Sequence, residues 1–380
     1  MADPRARIVS LSLKDFRNFE RLEMDFPAGG LVVTGENGQG KTNLLESAYY
    51  LSLLRSVRGA RDVDVVRFGA SGFFIQATMC VPPPDAHELS IGFERGGRRK
   101  RVRRDGAVVD RLSDALGTLP VVMFSPSDVE LVSGAPGGRR RFLDIMLALS
   151  SRGYLHALQL YRAALDRRNA ALRDVAKSGA HARTAAIEVW EPPLAEHGAA
   201  LMRVRRAWVN RVASLFEERC EAIGERGSID LKYETGVDAN AESIEVALAN
   251  ALAAKRASDL RYGLTQTGPH RDDLIMLLDG RELRTFGSAG QQRTAAIALR
   301  TLEAETLREA RGAAPVFLLD DPFAELDLRR ATRVLTLLRE VGLGQTVLAV
   351  PRDSDIPDEL TELPRCRVDN GRVEFPRTAS

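Results

Sequence analysis

The stretch that decides the fold is Gly35-Glu36-Asn37-Gly38-Gln39-Gly40-Lys41-Thr42. It fits the pattern GxxxxGK[ST] of a phosphate-binding loop. The apolar run Leu31–Val33 before it predicts a buried strand, and the leucine spacing from Thr42 to Leu54 predicts a helix after it. Glycines let successive backbone N–H groups turn towards one anion, and a helix start also favours negative charge. Each residue of the loop Gly35–Thr42 is therefore predicted to bind a nucleotide. Lys41 would contact the β- and γ-phosphates, and Thr42 would offer its hydroxyl to Mg²⁺.

A pair of carboxylates follows a second apolar run, far along the chain. Val316–Leu319 predicts a buried strand, and Asp320 and Asp321 come directly after it. Asp320 is predicted to hold Mg²⁺, directly or through water, and Asp321 to orient and polarise the attacking water. The two aspartates could alternatively cap a helix. The presence of a phosphate loop in the same chain favours the metal site.

A third polar loop, Phe286–Thr294, lies between these two motifs in the sequence. A small polar loop that opens a helix is a second possible anion site. One nucleotide needs only one phosphate loop, so the extra site suggests a phosphate presented by another subunit, as in ABC-type ATPases. Ser288, Gly290 and Gln291 are then predicted to contact the nucleotide of a partner copy. An ordinary capped helix is the alternative.

The remaining pattern predicts an α/β protein with a split ATPase domain. Residues 1–125 and 262–380 alternate strand and helix patterns, and we assign them to an ABC-type P-loop ATPase head with N- and C-terminal lobes. Residues 126–261 are rich in Ala, Leu, Arg and Glu and predict an inserted, mostly helical lobe with one strand near Ile229–Tyr233. Asp105-Gly106 and Asp279-Gly280 predict tight hairpin turns.

Composition narrows the class of protein. The 54 basic residues nearly balance the 52 acidic ones, so total charge does not identify a polyanionic partner. No apolar run approaches the ~20 residues that span a bilayer, which argues against a membrane protein. The three cysteines are far apart and include no CxxC pair. This usage argues against a disulfide framework or a zinc site and suits a reducing cytoplasm, where we expect the protein.

Two arginine-rich segments are candidates for DNA contacts. Seven of the ten residues Arg95–Arg104 are basic, and strand alternation would place Arg101 and Arg103 on one face. The candidates in this segment are Arg98, Arg99, Lys100, Arg101 and Arg103. A solvated, arginine-coated hairpin is an equal alternative. Arg139-Arg140-Arg141 lies at a predicted helix start, where the helix dipole disfavours cations, so these residues are predicted to contact DNA or to form salt bridges between lobes.

With these motifs, the sequence resembles the RecF family of bacterial recombination mediators, in the SMC/ABC class of ATPases. The segments that carry the resemblance are Phe16–Phe19, Asn37–Glu46, Arg55–Arg58, Val121–Asp128, Pro136–Asp144 and Gly268–Asp273. The resemblance implies an ATP-dependent homodimer that binds gapped and single-stranded DNA. It also implies work with RecR and RecO to load a recombinase in repair, replication and the SOS response. The helical insertion would be a short SMC-like lobe.

Two positions depart from the family pattern. Ala324 stands where relatives usually carry a serine, and Val350 stands where they carry a Thr/Ser-rich switch. Both changes remove hydrogen-bonding groups, so only weak ATPase activity is expected. An ATP-binding scaffold with little turnover, or a nuclease-linked ABC ATPase, are the alternatives. The role of His270 is left open, and Arg55 or Arg58 is a candidate for reaching the nucleotide phosphates.

Overall fold

The computed structural model describes residues 4–81, 85–178, 185–238, 243–323, 326, 328–342 and 344–375. The contacts within the chain divide it into two compact units. The first unit comprises Met1–Asp128, Ala222–Gly224 and Ile297–Ser380, and the second comprises Val129–Glu221 and Glu225–Ala296. Every helix in the described ranges is too short or too polar to span a lipid bilayer.

The elements are numbered in chain order. The strands are β1 (Arg7–Phe16), β2 (Phe19–Asp25), β3 (Gly30–Thr34), β4 (Gly72–Cys80), β5 (Ala86–Glu94), β6 (Arg99–Arg104), β7 (Ala107–Val108), β8 (Val121–Phe124), β9 (Ile229–Glu234), β10 (Asp273–Leu278), β11 (Arg281–Glu282), β12 (Val316–Asp320), β13 (Thr346–Val350), β14 (Arg365–Asp369) and β15 (Arg372–Glu374). The helices are α1 (Lys41–Leu53), α2 (Asp62–Val65), α3 (Leu112–Ala115), α4 (Glu130–Ser133), α5 (Pro136–Ser150), α6 (Arg152–Ser178), α7 (Ala185–Glu188), α8 (Glu191–Ile223), α9 (Ile244–Tyr262), α10 (Leu283–Phe286), α11 (Ala289–Arg311) and α12 (Leu328–Val341).

A mostly parallel sheet forms the centre of the first unit. Its strand order is β15-β14-β3-β13-β12-β8, and only the edge strand β15 runs antiparallel to its neighbour. The apolar runs of β3, β12 and β13 are buried almost throughout, as expected for parallel strands covered on both faces. Because these strands are parallel, the carboxyl ends of β3 and β12 lie at the same edge of the sheet. That edge holds the phosphate loop and Asp320.

An antiparallel sheet, β2-β1-β4-β5-β6-β7, completes the first unit. Its strands β1 and β4 alternate buried and partly exposed residues, so one face packs inward. Phe16 and Phe73 on that face contact Tyr50 of α1 edge to face, with ring centroids 6.0 and 5.5 Å away. The hairpin predicted at Asp105-Gly106 is confirmed: both residues have positive φ, 50° and 80°, as a type I′ turn requires.

The second unit combines the helices α5, α6, α8 and α9 with the three-stranded antiparallel sheet β11-β10-β9. The strand predicted near Ile229 is confirmed as β9. Helix α8 begins at Glu191, and the two prolines that follow lie in its first turn, where proline is tolerated. The interior of the second unit is partly polar. Arg168 of α6 is fully buried and pairs with Asp259 at 2.7 Å and with Glu191 at 3.1 Å.

The predicted α/β class is confirmed, and two boundaries differ. The strand after the predicted Asp279-Gly280 turn is short and ends at Glu282, because Leu283 is buried and begins α10. The chain returns to the first unit at Ile297, whereas the sequence pattern placed the end of the insertion at residue 261. The physical reason is strand pairing: β10 pairs with β9 along its whole length and therefore stays in the second unit.

Candidate nucleotide-binding site

The phosphate loop connects β3 to α1 and depends on glycine at two places. Gly35 has a φ of 148°, and a Cβ on it would lie 2.3 Å from the carbonyl oxygen of Val368. Gly40 has a φ of 120°, and a Cβ there would lie 2.5 Å from the side chain of Asn18. Any larger residue would therefore displace the loop from the sheet edge or from the side chain of Asn18.

Lys41 folds back over this loop. Its ammonium group donates hydrogen bonds to the carbonyl oxygens of Gly35 (2.5 Å) and Glu36 (3.0 Å). Burial lowers the pKa of Lys41, and the negative charges of Asp320 and Asp321 act in the opposite direction. A polyphosphate in the loop would add further negative charge and favour the protonated amine. The side chain is thus placed to bind phosphate as an ammonium ion.

Asp320 and Thr42 meet at the carboxyl edge of the parallel sheet. The Thr42 hydroxyl donates to Asp320 Oδ1 at 3.1 Å, although the two residues are 278 positions apart. Burial raises the pKa of Asp320, while the hydrogen bond from Thr42 and the positive charges of Arg58 and Lys41 oppose that rise. Asp321 follows at once with a φ of 46°. A hydroxyl and a carboxylate oxygen so placed fit Mg²⁺, which is usually bound by few protein oxygens together with phosphates.

No cluster of three or more His, Cys, Asp or Glu side chains that could hold a metal ion by itself occurs in the described part of the chain. A nuclease metal centre would need additional carboxylates.

The turn between β14 and β15 supports the phosphate loop from behind. The backbone N–H of Asn370 donates to Gln39 Oε1 at 2.8 Å, and that of Gly371 donates to the Gln39 carbonyl at 3.0 Å. On the other side, Asn18 Nδ2 donates to the same carbonyl and Asn18 Oδ1 accepts from Asn43 Nδ2, at 2.8 and 2.9 Å. Sequence reasoning identified Asn18 only through the family resemblance and missed the contacts of Asn370 and Gly371.

Glu46 is a further residue that sequence reasoning did not single out. Its carboxylate lies on α1, is fully buried, and accepts a bidentate pair of hydrogen bonds from Arg17 at 2.9 and 3.0 Å. Ser56 donates to it at 2.5 Å, and Arg58 Nε lies 3.7 Å away. Glu46 thus positions Arg58, which also acts on the pKa of Asp320. Burial raises the pKa of Tyr49, and the positive charge of Arg55 is among the groups that oppose that rise.

The polar loop before α11 belongs to the second unit and forms a capping box. The Gln291 N–H donates to Ser288 Oγ at 3.3 Å, and the Ser288 N–H donates to Gln291 Oε1 at 2.9 Å. Ser288 is exposed, Gly290 is half-buried, and Gln291 Nε2 donates to Glu225 Oε1 at 3.2 Å. The capped helix considered above is therefore present. The exposed hydroxyl of Ser288 can still donate a hydrogen bond to a phosphate.

The prediction of DNA contacts is wrong for Lys100 and Arg139, because both side chains are bound inside the fold. Lys100 points inward: its ammonium group binds Asp62 at 2.7 Å and lies 5.2 Å from the centre of the Tyr50 ring. Arg139 is buried and pairs with both carboxylate oxygens of Asp273 at 2.7 Å. Both side chains are thus bound within the fold instead of facing a ligand.

The other arginine candidates reach the surface to different degrees. Arg140 is half-buried and donates to the Asp272 carbonyl at 2.8 Å, while Arg141 is exposed. The rest of the exposed candidates are Arg98, Arg99, Arg101 and Arg103. None of these four forms an ion pair with a residue that the structure describes. They remain available for a polyanion.

His270 has a structural role. Its Nε2 lies 2.9 Å from the Thr265 carbonyl, so this nitrogen carries the proton, and Nδ1 accepts from the Tyr161 hydroxyl at 2.6 Å. Burial lowers the pKa of His270 to about 4, so the ring is neutral at pH 7. The imidazole therefore joins α6 to the loop that follows α9, as a half-buried polar residue of the second unit.

Comparison with known proteins adds family evidence to this geometry. The family model described as the RecF/RecN/SMC N terminal domain matches residues 7–352. The DNA replication and repair protein RecF of Geobacter sp. (strain M21) is 34% identical over 371 residues, which cover 97% of this chain and 99% of that protein. The protein of the same name from Herpetosiphon aurantiacus is 34% identical over 385 residues, with the same coverage.

Solved structures give the same answer for the fold. The recombination mediator protein RecF of the RecFOR pathway, in its ATP form, superposes with a TM-score of 0.89 at 28% identity and covers 99% of both chains. The Smc head domain of Pyrococcus furiosus, solved with the C-terminal domain of ScpA, has a TM-score of 0.56 at 17% identity over 98% of this chain and 96% of that chain. The predicted ABC-type head fold is confirmed.

Proposed function

Since this chain belongs to the RecF family, in the SMC class of ATPases, we propose that it is a recombination mediator that uses ATP to control DNA binding. Its substrates would be gapped and single-stranded DNA, and its role would be to support recombinase loading in repair, replication and the SOS response. RecR and RecO are the proposed partners, the cytoplasm is the proposed location, and two copies would associate when ATP is bound.

The observation that carries this proposal is the hydrogen bond between Thr42 and Asp320 at 3.1 Å. It joins the phosphate loop to the first aspartate of the carboxylate pair, which supports a shared Mg-ATP site there. Lys41 would bind the β- and γ-phosphates, and the backbone of residues Gly35–Gly40 would surround them. Mg²⁺ bound by Thr42 and Asp320 would neutralise charge on the phosphates. Asp321, next in the chain, would accept a proton from the attacking water and orient it.

Dimerisation would complete each nucleotide site. Ser288 and the backbone near Gly290 and Gln291 are proposed to contact the γ-phosphate held by a second copy. The exposed start of α11 supports this role, because a helix N-terminus favours an anion and the exposed Ser288 hydroxyl still has its proton to donate. ATP would thus hold two copies together, and hydrolysis would release them.

A nearly non-cycling scaffold is the second candidate function. Val350 is the last residue of β13, is buried, and pairs with Thr34 in the sheet. Its side chain offers no hydrogen-bonding group next to the phosphate loop. Ala324, the other departure from the family pattern, lies outside the described residues. Slow turnover with retained ATP-dependent DNA binding would agree with the first candidate, and DNA binding that ignores ATP would favour the second.

The test is fluorescence anisotropy of a gapped duplex titrated with the protein, with and without Mg-ATP, at two salt concentrations. The proposal expects tighter binding with ATP, and the salt dependence reports the number of phosphates contacted. Lys41→Ala is the control, because it removes the phosphate-binding ammonium and should abolish the ATP effect. Equal binding with and without ATP by the unaltered protein would contradict the proposal.

A further inference from the structure

Phe68 is the most exposed large apolar side chain in the described chain. Its exposed fraction is 98%, against 69% for Phe286 and 58% for Val108. A single exposed apolar residue is common on protein surfaces. Phe68 differs because it is a whole aromatic ring with both faces in water, held on a well-anchored turn.

The turn that carries Phe68 is fixed on both sides. The Ala70 N–H donates to the Arg67 carbonyl at 3.0 Å, and Gly69 has the positive φ, 83°, of a type II turn. Arg67 is held in turn by Asp15, whose carbonyl accepts from its N–H and whose carboxylate accepts from Nε, both at 2.8 Å. The ring therefore projects from a defined position at one end of the antiparallel sheet.

A basic turn lies at the same end of the sheet. The Arg95 N–H donates to the Ser71 carbonyl at 2.8 Å, and Ser71 is three residues from Phe68, a reach of at most about 10 Å. The β5–β6 turn continues with Arg98 and Arg99, both exposed and without an ion pair to any residue in the described ranges. Hence several cations without an ion pair in the described ranges lie at the same end of the sheet as the ring.

The neighbouring carboxylates are mostly paired already. Asp62 binds Lys100 at 2.7 Å, and Asp64 binds Arg61 at 2.9 Å. Asp15 binds Arg67, as described above. Glu94, which lies opposite Arg99 in the strand register, and Glu20, which lies 3.8 Å from Arg67, offset only part of the positive charge. The surface around Phe68 is consequently basic.

We propose that Phe68, Arg95, Arg98 and Arg99 form a stacking site for a base of single-stranded nucleic acid, called here the Phe68 site. An aromatic ring beside cations binds single strands by stacking a base while the cations contact the backbone phosphates. Guanidinium groups suit this task because their planar donors match phosphate oxygens. A duplex hides its base faces, so the ring selects unpaired nucleotides.

This inference rests on the proposed DNA-binding function, and it adds the residues that recognise unpaired bases. It gives a direct means of preferring a gap over a continuous duplex. The arginines alone attract any polyanion, whereas Phe68 acts only on exposed bases.

The test compares three probes in the presence of Mg-ATP: an oligothymidylate, an abasic strand of the same length, and a blunt duplex. Phe68→Ala should weaken oligothymidylate binding roughly five- to a hundred-fold and leave the other two unchanged. Phe68→Trp should keep the affinity, and its added fluorescence should be quenched by oligothymidylate but not by the abasic strand. Arg98→Ala should weaken all three probes. Val108→Ala is the matched control for loss of an exposed apolar group.

The opposing results are equally defined. Unchanged oligothymidylate binding by Phe68→Ala, or equal weakening on all three probes, would overturn the stacking site. Full affinity of Phe68→Leu would also overturn it, because an apolar side chain without a ring would then suffice, as at a protein-binding surface. An unaltered protein that binds none of the three probes would refute the proposed function and this site together.

Discussion

Replacing Glu46 by alanine tests whether the nucleotide site depends on the charge beneath it. In the structure the Glu46 carboxylate is fully buried on α1 and holds Arg17 through two hydrogen bonds. Arg17 precedes Asn18, whose side chain binds the carbonyl of Gln39 in the phosphate loop. Loss of the carboxylate therefore leaves a cation without its partner directly beside the loop.

The expected loss of stability can be worked from the burial of the pair. Removing one partner of a buried ion pair costs about 3–5 kcal/mol. The Arg17 side chain keeps 18% of its surface exposed, so water partly replaces the carboxylate and the lower end applies, about 3 kcal/mol. For a unit of this size, that change lowers the melting temperature by roughly 6–12 °C.

The assay must report on the first unit separately. Hydrogen exchange of α1, residues 41–53, follows that unit, whereas the fluorescence of Trp190 and Trp208 follows the second. Glu46→Ala should speed exchange in α1 and weaken ATP binding. Glu20→Ala is the matched control, because that carboxylate is 80% exposed, lies 3.8 Å from Arg67 and should matter by less than about 0.5 kcal/mol.

Two outcomes would refute this reasoning. Unchanged exchange in α1 would mean that the buried pair contributes nothing to the stability of the helix. A double variant, Arg17→Met with Glu46→Leu, should be less destabilised than Glu46→Ala, because both charges are removed together. If it were more destabilised, the effect would come from packing and not from an unpaired charge.

Three further predictions concern the proposed roles of Asp321 and Ser288 and the half-buried His270. Asp321→Asn should keep ATP binding, slow hydrolysis and accumulate a dimer, as measured by light scattering. Ser288→Arg should block that dimer without lowering the ATP affinity of the single copy, measured by titration calorimetry. Burial lowers the pKa of His270 to about 4, against about 6.5 when unfolded, so unfolding takes up a proton in acid. Stability is therefore full above pH 6.5 and falls by up to about 1.4 kcal/mol per pH unit towards pH 4, a slope that urea unfolding of His270→Gln should lack.

Each of these three predictions has an outcome that would contradict it. A single copy of Asp321→Asn in saturating ATP would count against its role in hydrolysis. Parallel loss of ATP binding and dimerisation in Ser288→Arg would mean that the serine acts on its own nucleotide. The same acid slope in His270→Gln would assign it to other groups.

The parts of the site that are local in sequence could be predicted. The phosphate loop is one continuous stretch, and the run before Asp320 marks its strand without further information. Their meeting follows from parallel strands whose carboxyl ends share an edge, and Thr42 and Asp320 do lie 3.1 Å apart. Residue type, order in the chain and strand direction are therefore enough to predict the phosphate loop, the strand before Asp320 and the proximity of the two.

The remaining parts depend on partners far away in the chain. Glu46 reads as one more polar position of α1 until its contact with Arg17 is known. Lys100 and Arg139 read as surface charges, yet the first packs on Tyr50 and the second pairs with Asp273, 134 positions away. Charge patterns in a sequence carry no information about such partners, so burial overrides the surface prediction.

The strand order of the parallel sheet has a consequence for synthesis. β3, which leads into the phosphate loop, pairs with β13 and β14 among the described strands, and more than three hundred residues separate it from either. At about 5–20 residues per second, a ribosome needs roughly 15–60 s to make them. Throughout that time the nascent chain carries an apolar strand whose partner strands have not been made, and such an unpaired strand is prone to aggregation. We therefore expect this protein to depend on chaperones during translation and to gain nucleotide binding only when its last strands have emerged.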